Sequence, residues 1–178
     1  MPRLVALLFA SPLLLLAIGA SVAQAAGAPQ AALDKTVTMS WTTSGTGVGP
    51  NGPISYSNTN IRTVYISSAG RTFLRMQVSG HWATRTGDRG PDEGSSRGSV
   101  HFEGNQLVGV ETFLSGARRY TATFDSGFSS CTVNVIDAKS GSANIKRRGP
   151  DGAMYDITSA STGAMSCAIQ SGNAFGGQ

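Results

Sequence analysis

The sequence predicts an all-β protein: an antiparallel up-and-down barrel or meander of about nine or ten short strands, with a two-sheet β-sandwich as the alternative. Three observations predict it. Short runs in which every second residue is apolar recur along the chain, which is the period of a half-buried strand. The 3.6-residue period of an amphipathic helix is missing. Breaks containing Gly, Ser, Asp or Pro separate the runs, and several are short enough for hairpins. Successive hairpins favour the meander or barrel. A sandwich needs longer crossovers, which residues 44–53 and 87–98 can supply as loops.

Residues 1–25 read as a cleaved signal peptide. Arg3 precedes an apolar run from Leu4 to Ala20, and the small-residue triplet Ala23-Gln24-Ala25 offers a cleavage site. A retained anchor is the competing reading, because the run stands near the lower limit of about 17 residues for a spanning helix. Pro12 inside the run and the site at its end favour removal. No cysteine lies near that site to accept a lipid, and no later stretch is apolar enough to form a transmembrane helix. The protein is therefore expected to be exported, to a periplasm or to the extracellular medium. Residues 26–35 follow as a flexible leader, residues 36–172 as a single β domain, and residues 173–178 as a loose C-terminal tail.

"TVTMSWTT" opens the domain, with Val37, Met39 and Trp41 alternating with Thr36, Thr38, Ser40 and Thr42. Strands at 61–67 and 72–79 flank a turn at Ser68-Ala69-Gly70-Arg71. Leu74, Met76 and Val78 share one face of the second of these strands. Residues 87–98 hold no apolar residue except Pro91 and read as an exposed loop. Residues 99–125 then read as three strands joined by two-residue loops at Gly104-Asn105 and Ser115-Gly116. That register sets Phe102 opposite Leu107 and Val100 opposite Gly109. It sets Leu107 opposite Phe124, Gly109 opposite Ala122, Glu111 opposite Tyr120 and Phe113 opposite Arg118. Further strands are expected at 131–136, 142–147, 154–159 and 164–170.

Cys131 and Cys167 are the only cysteines. An even count in an exported chain reads as a disulfide, with two buried thiols as the alternative. "RGPD" occurs at Arg89–Asp92 and Arg148–Asp151, and "GPNG" at Gly49–Gly52. Gly-Pro followed by Asp or Asn is turn chemistry, since Pro presets φ and Asp or Asn suits the next position.

Signal removal takes one of the 14 Lys+Arg and none of the 10 Asp+Glu, which leaves a net charge of +3. The nearest thing to a clustered basic face is two short runs, Lys146-Arg147-Arg148 and Arg118-Arg119, which read as solvated surface, so no nucleic-acid partner is expected. Catalytic signatures are equally sparse. The two histidines, His81 and His101, form no H-x-x-x-H, and no G-x-S-x-G, phosphate loop or dinucleotide fingerprint occurs. The acidic residues are dispersed. No cofactor and no metal are implied, and the chain reads as non-catalytic.

One constellation remains. In the register above, Glu111, Tyr120 and Arg118 share a sheet face with Val100, Phe102, Leu107 and Phe124, polar residues at one end and apolar at the other. Gly109 and Ala122 leave room between. Such a face suits a small amphipathic or cell-envelope ligand inside a barrel. The alternatives are a Glu–Arg pair that merely closes the core of a structural or interaction protein of the envelope, and a hydrolase that uses His81 or His101 with a nearby carboxylate.

Overall fold

The structure, a computed structural model, describes residues 27–81, 87–93, 98–113, 116–139 and 145–176. The signal-peptide reading of residues 1–25 lies outside them, as do residues 142–144 of an expected strand. Among the described residues the chain forms ten strands: β1 (Lys35–Gly49), β2 (Gly52–Ile66), β3 (Thr72–His81), β4 (Gly87–Glu93), β5 (Gly98–Glu103), β6 (Gln106–Phe113), β7 (Gly116–Phe124), β8 (Cys131–Lys139), β9 (Lys146–Arg148) and β10 (Met154–Ser171). No helix here is long and apolar enough to cross a membrane.

The strands form two antiparallel sheets, a six-stranded one in the order β4-β3-β2-β1-β10-β9 and a four-stranded one in the order β5-β6-β7-β8. Read around the molecule, this is the order of an up-and-down meander, but no closed barrel forms. Hydrogen bonding breaks between β4 and β5 and again between β8 and β9, which leaves two sheets packed face to face. Pro91 suits the edge at the first break, having no N–H to offer a further strand. Two bonds tie the sheets near the breaks. Thr72 Oγ1 donates to the Val100 carbonyl at 3.1 Å, and Cys131 and Cys167 form a disulfide that joins β8 to β10, their Cα atoms 5.6 Å apart.

Several expected boundaries are corrected. Residues 44–53 are not a crossover loop, because β1 and β2 pair continuously from Lys35–Ile66 to Gly49–Gly52. No apolar alternation marks this part, since its inward positions include Gly45, Gly47, Tyr56 and Asn58. Residues 87–93 are not loop but an edge strand, bulged opposite Arg75 around Gly90-Pro91. The strands expected at 154–159 and 164–170 are one strand, β10. It passes its break by a bulge in which Ala164 takes φ 41° and the pairing moves from Ser40–Ser166 to Thr42–Gly163. The leader and tail are also tied down. Ala32 is fully buried, with Ala28 and Leu33 packed beside it. The Gly172 amide donates to the Asp34 carbonyl, and the Ala174 amide to Thr36 Oγ1.

The core lies between the sheets. Val37, Met39, Trp41, Val64, Ile66 and Leu74 meet Phe102, Leu107, Tyr120, Ala122, Phe124 and Val135. Polarity is graded along it. On the inward face of β2, Ile66 and Val64 are followed by Arg62, Asn60, Asn58 and Tyr56, all buried.

The turn motifs divide. Gly49–Gly52 and Gly149–Gly152 are both turns, the second closed by the Gly152 amide on the Gly149 carbonyl. They touch: Asn51 Nδ2 donates to Asp151 Oδ2 at 2.8 Å. The copy at Arg89–Asp92 is no turn and lies within β4.

Candidate functional site

The polar end of the inter-sheet space is built on one cross-strand row. Glu111 on β6, Arg118 on β7 and Asp137 on β8 are direct register partners. The expected pairing of Glu111 with Tyr120 is corrected: Gly109 opposes Tyr120, and Leu107 opposes Ala122. Phe113 pairs with Gly116, so Gly116 belongs to the strand pairing and not to the loop, and Ser115 lies outside the described residues. That moves each pairing by two residues. An even slip keeps every side chain on its face, so the constellation survives with different neighbours. Across the first hairpin, Phe102–Leu107 and Val100–Gly109 pair as read.

Each charge in the row has a partner. Arg62 of β2 reaches across from the other sheet and grips Glu111 with both ends of its fork, Nε to Oε1 at 2.5 Å and Nη2 to Oε2 at 3.1 Å. Its Nη1 donates to the Ile61 carbonyl. Arg118 holds Asp137 in the same way, at 2.6 and 2.9 Å. Paired forks of this kind join charge attraction to fixed geometry. Arg62 and Glu111 are nearly inaccessible, whereas Asp137 opens to solvent. Burial opposes the charge of Arg118, but the carboxylates of Asp137 and Glu111 outweigh it and hold its pKa above the usual arginine value.

Aromatic rings fill the centre. Trp41 and Tyr120 stack with centroids 5.6 Å apart. The guanidinium groups of Arg62 and Arg118 both lie over the Trp41 ring, at 5.1 and 5.8 Å. Tyr120 occupies the room that Gly109 leaves, since a Cβ at 109 would stand 2.0 Å from the ring. The indole Nε1 of Trp41 and the hydroxyl of Tyr120 are buried without a hydrogen-bond partner among the described residues. Burial, then the Glu111 charge, pushes the Tyr120 pKa up. At neutral pH the phenol therefore stays protonated.

Toward the solvent, β1 and β2 run on past the Glu111 row. There the ring of Tyr56 lies over Gly45, where a Cβ would be 2.9 Å from its Cε1. Arg147 of β9 stacks on Tyr56 at 4.4 Å. Burial holds Arg147 below the usual arginine range. With the Asn58 amide turned to the orientation that satisfies its neighbours, this residue, 2% exposed, donates its nitrogen to the Ser57 and His81 carbonyls, and its oxygen accepts from Arg147 Nη1 at 2.9 Å.

The histidines lie elsewhere. His101 Nε2 is 2.9 Å from Glu103 Oε1, and Glu103 also accepts from Arg119 at 2.7 Å. Glu103 on β5 and Arg119 on β7 flank Val108 of β6, so their bridge passes over a valine with no exposed surface. Among the described residues no serine or cysteine hydrogen-bonds to this group. His81 is exposed at the end of β3.

Sequence reasoning missed Arg62, Asp137, Trp41 and Arg147. Trp41 reads as inward-facing in the sequence but not as part of the cluster, and the signal was present for two of the others. Arg62 shares its face with Val64 and Ile66, and Asp137 with Val133 and Val135, so period two marks both as inward-facing. Comparison with protein-family models, with curated proteins and with solved structures finds no match, so function is argued from this geometry.

Proposed function

We propose that the protein is an exported, non-catalytic β-sandwich that serves as an interaction domain of the cell envelope, its buried Arg62–Glu111 pair locking the two sheets together. The observation that carries this reading is the pairing of the four charges Arg62–Glu111 and Arg118–Asp137 around a space filled by Trp41 and Tyr120. A partner then meets the surface. The outer face of β1 and β2 is broad and uncharged, with Thr38, Ser40, Thr42, Ser44 and Thr46 beside Ser55, Ser57, Thr59, Ile61 and Thr63. Export rests on the sequence of residues 1–25. Envelope fractionation followed by photo-crosslinking from position 59, on that face, and from position 134, on the four-stranded sheet, tests the reading. A defined envelope component crosslinked from at least one position is expected. A mature chain that stays free and crosslinks from neither overturns it.

The second reading is a small amphipathic ligand between the sheets, bound by Glu111, Tyr120 and Arg118. What favours it is the unpartnered pair Trp41 Nε1 and Tyr120 Oη, two buried donors that a ligand acceptor would satisfy. Native mass spectrometry and thermal-shift screening against lipids, sugars and aromatic metabolites separate the two. A bound species that is weakened by Glu111→Gln puts the ligand first; none across the panel leaves the interaction domain.

A further inference from the structure

We propose that Arg147, supported by Tyr56 and Asn58, binds the oxyanion head group of a small ligand: a carboxylate, phosphate or sulfate. The site is separate from the Glu111 cluster and does not depend on either reading above.

The supports hold the guanidinium in one plane. Its face rests on the Tyr56 ring, and its Nη1 is taken by the buried Asn58 oxygen, which is itself oriented by the Ser57 and His81 carbonyls. That leaves the opposite edge. Nε and Nη2 make no hydrogen bond among the described residues, and these are the two parallel donors that match a pair of oxyanion oxygens. The Tyr56 hydroxyl likewise has no hydrogen-bond partner among the described residues. Arg62 and Arg118 use the same Nε/Nη2 edge to grip Glu111 and Asp137. Arg147 presents the same fork with no carboxylate in it.

Among the described side chains no acid is left to fill it. Of the 10 acidic residues, Glu111 and Asp137 are held by Arg62 and Arg118. Glu103 is bound by His101 and Arg119, and Asp156 is paired with Lys146. Asp34 accepts from Tyr65, Asp125 from Ser129, and Asp151 from Asn51 and Tyr155. The remaining three, Asp88, Asp92 and Glu93, belong to β4, at the opposite edge of the six-stranded sheet from β9. The charges that act on Arg147 come from Arg118, which adds to the positive field, and Asp137, which reduces it while both its oxygens stay engaged by Arg118. A half-buried cation in this setting is screened less than a surface one and attracts an anion more strongly.

The test uses the mature full-length chain at constant ionic strength. Sodium phosphate, sulfate and acetate are each titrated against a chloride control, with the Arg147 Nε–H resonance and the melting midpoint as readouts. Vesicles of phosphatidylglycerol and of phosphatidylcholine form a second arm. Saturable shifts beyond chloride are expected. Arg147→Gln should weaken binding about tenfold or more, the usual weight of a charge-assisted hydrogen bond. Arg147→Lys, which keeps the charge and guards against a folding defect, should retain only part of it, because the fork is lost. Binding of free anion alone identifies a soluble ligand; binding of phosphatidylglycerol vesicles that Arg147→Gln abolishes identifies a lipid head group. No shift in either arm beyond its control, or an undiminished shift in Arg147→Gln, overturns the proposal.

Discussion

The two ends of the inter-sheet space are closed by different physics. At one end Phe124 and Phe128 stack at 4.5 Å, with Phe102 tilted against both. Val37, Val64, Ile66 and Leu107 complete that end, and the disulfide and the docked Ala32 hold its margin. At the other end the Arg62–Glu111 ion pair crosses from sheet to sheet, and Tyr120 and Tyr56 lie over Gly109 and Gly45 in place of ordinary interdigitated side chains. Apolar packing is non-directional and tolerates exchange of similar volumes. A buried charge does not, because loss of its partner leaves it desolvated and unpaired. The polar end should therefore be the more brittle of the two, and the more specific about which strands meet.

Arg62→Met gives the sharpest test. It strands Glu111 in the core and should cost about 3–5 kcal/mol in urea denaturation. Adding Glu111→Leu should recover most of that loss, since a buried ion pair and an apolar pair of similar volume are often close in stability. A double variant as unstable as the single would mean that the polar end is not a charge clamp. At the apolar end the corresponding test is removal of the disulfide with Cys131→Ser and Cys167→Ser. The bridge spans 36 residues, and its loss should cost about 2–4 kcal/mol. Unlike the Arg62 change, the loss should come with a larger denaturant slope, because much of the effect lies in a less restricted unfolded chain. An unchanged slope would count against that contrast.

Gly109→Ala probes the ring-on-glycine device. Its methyl would meet the Tyr120 ring and should cost about 1–3 kcal/mol. Gly127→Ala, with nothing within 4 Å of its Cβ, should stay within about 0.5 kcal/mol. Equal effects at the two positions would remove any special role for the glycine. The smallest effect belongs to Asp125, whose carboxylate accepts hydrogen bonds from the Ser129 side chain and amide and from the Ser130 hydroxyl. These hold its pKa down to about 2, below the ordinary carboxylate value of 3.8. A depressed folded pKa contributes stability that is complete above about pH 4 and is lost as pH falls through about 2. Asp125→Asn should flatten the stability profile in that window, lowering stability slightly at pH 7, where the carboxylate's contribution is complete, and converging with the wild type below about pH 2. A profile with the same acid slope would remove Asp125 from the account.

The expectations that held share a cause. Gly104-Asn105 is a local turn signal, so the β5–β6 register was readable from a few neighbouring residues. The β6–β7 register slipped because two candidate loop centres adjoin there, and the hydrophobic pattern is the same after an even shift. The long β1–β2 hairpin was illegible beyond Thr43. Its inward side carries glycine and asparagine, and the rings that cover the glycines come from elsewhere, Tyr56 on β2 and Tyr155 on β10. Asn60 reads as a loop residue until its Nδ2 is seen donating to Thr43 Oγ1 on β1.

Composition, period two and local turn signals determined the all-β class, favoured an antiparallel barrel or meander, placed Glu111, Arg118 and Tyr120 on one face, and offered Cys131 and Cys167 as a disulfide. Apart from the disulfide, these are properties of a strand and its immediate turn, written in short stretches of chain. The tertiary structure alone decided that the meander splits into two sheets, that Arg62 answers Glu111 across 49 residues, and that Arg147 arrives on Tyr56 with its fork unfilled. Side-chain alternation says which way a residue points but not which strand of the facing sheet lies opposite, and that is set only when the whole core packs.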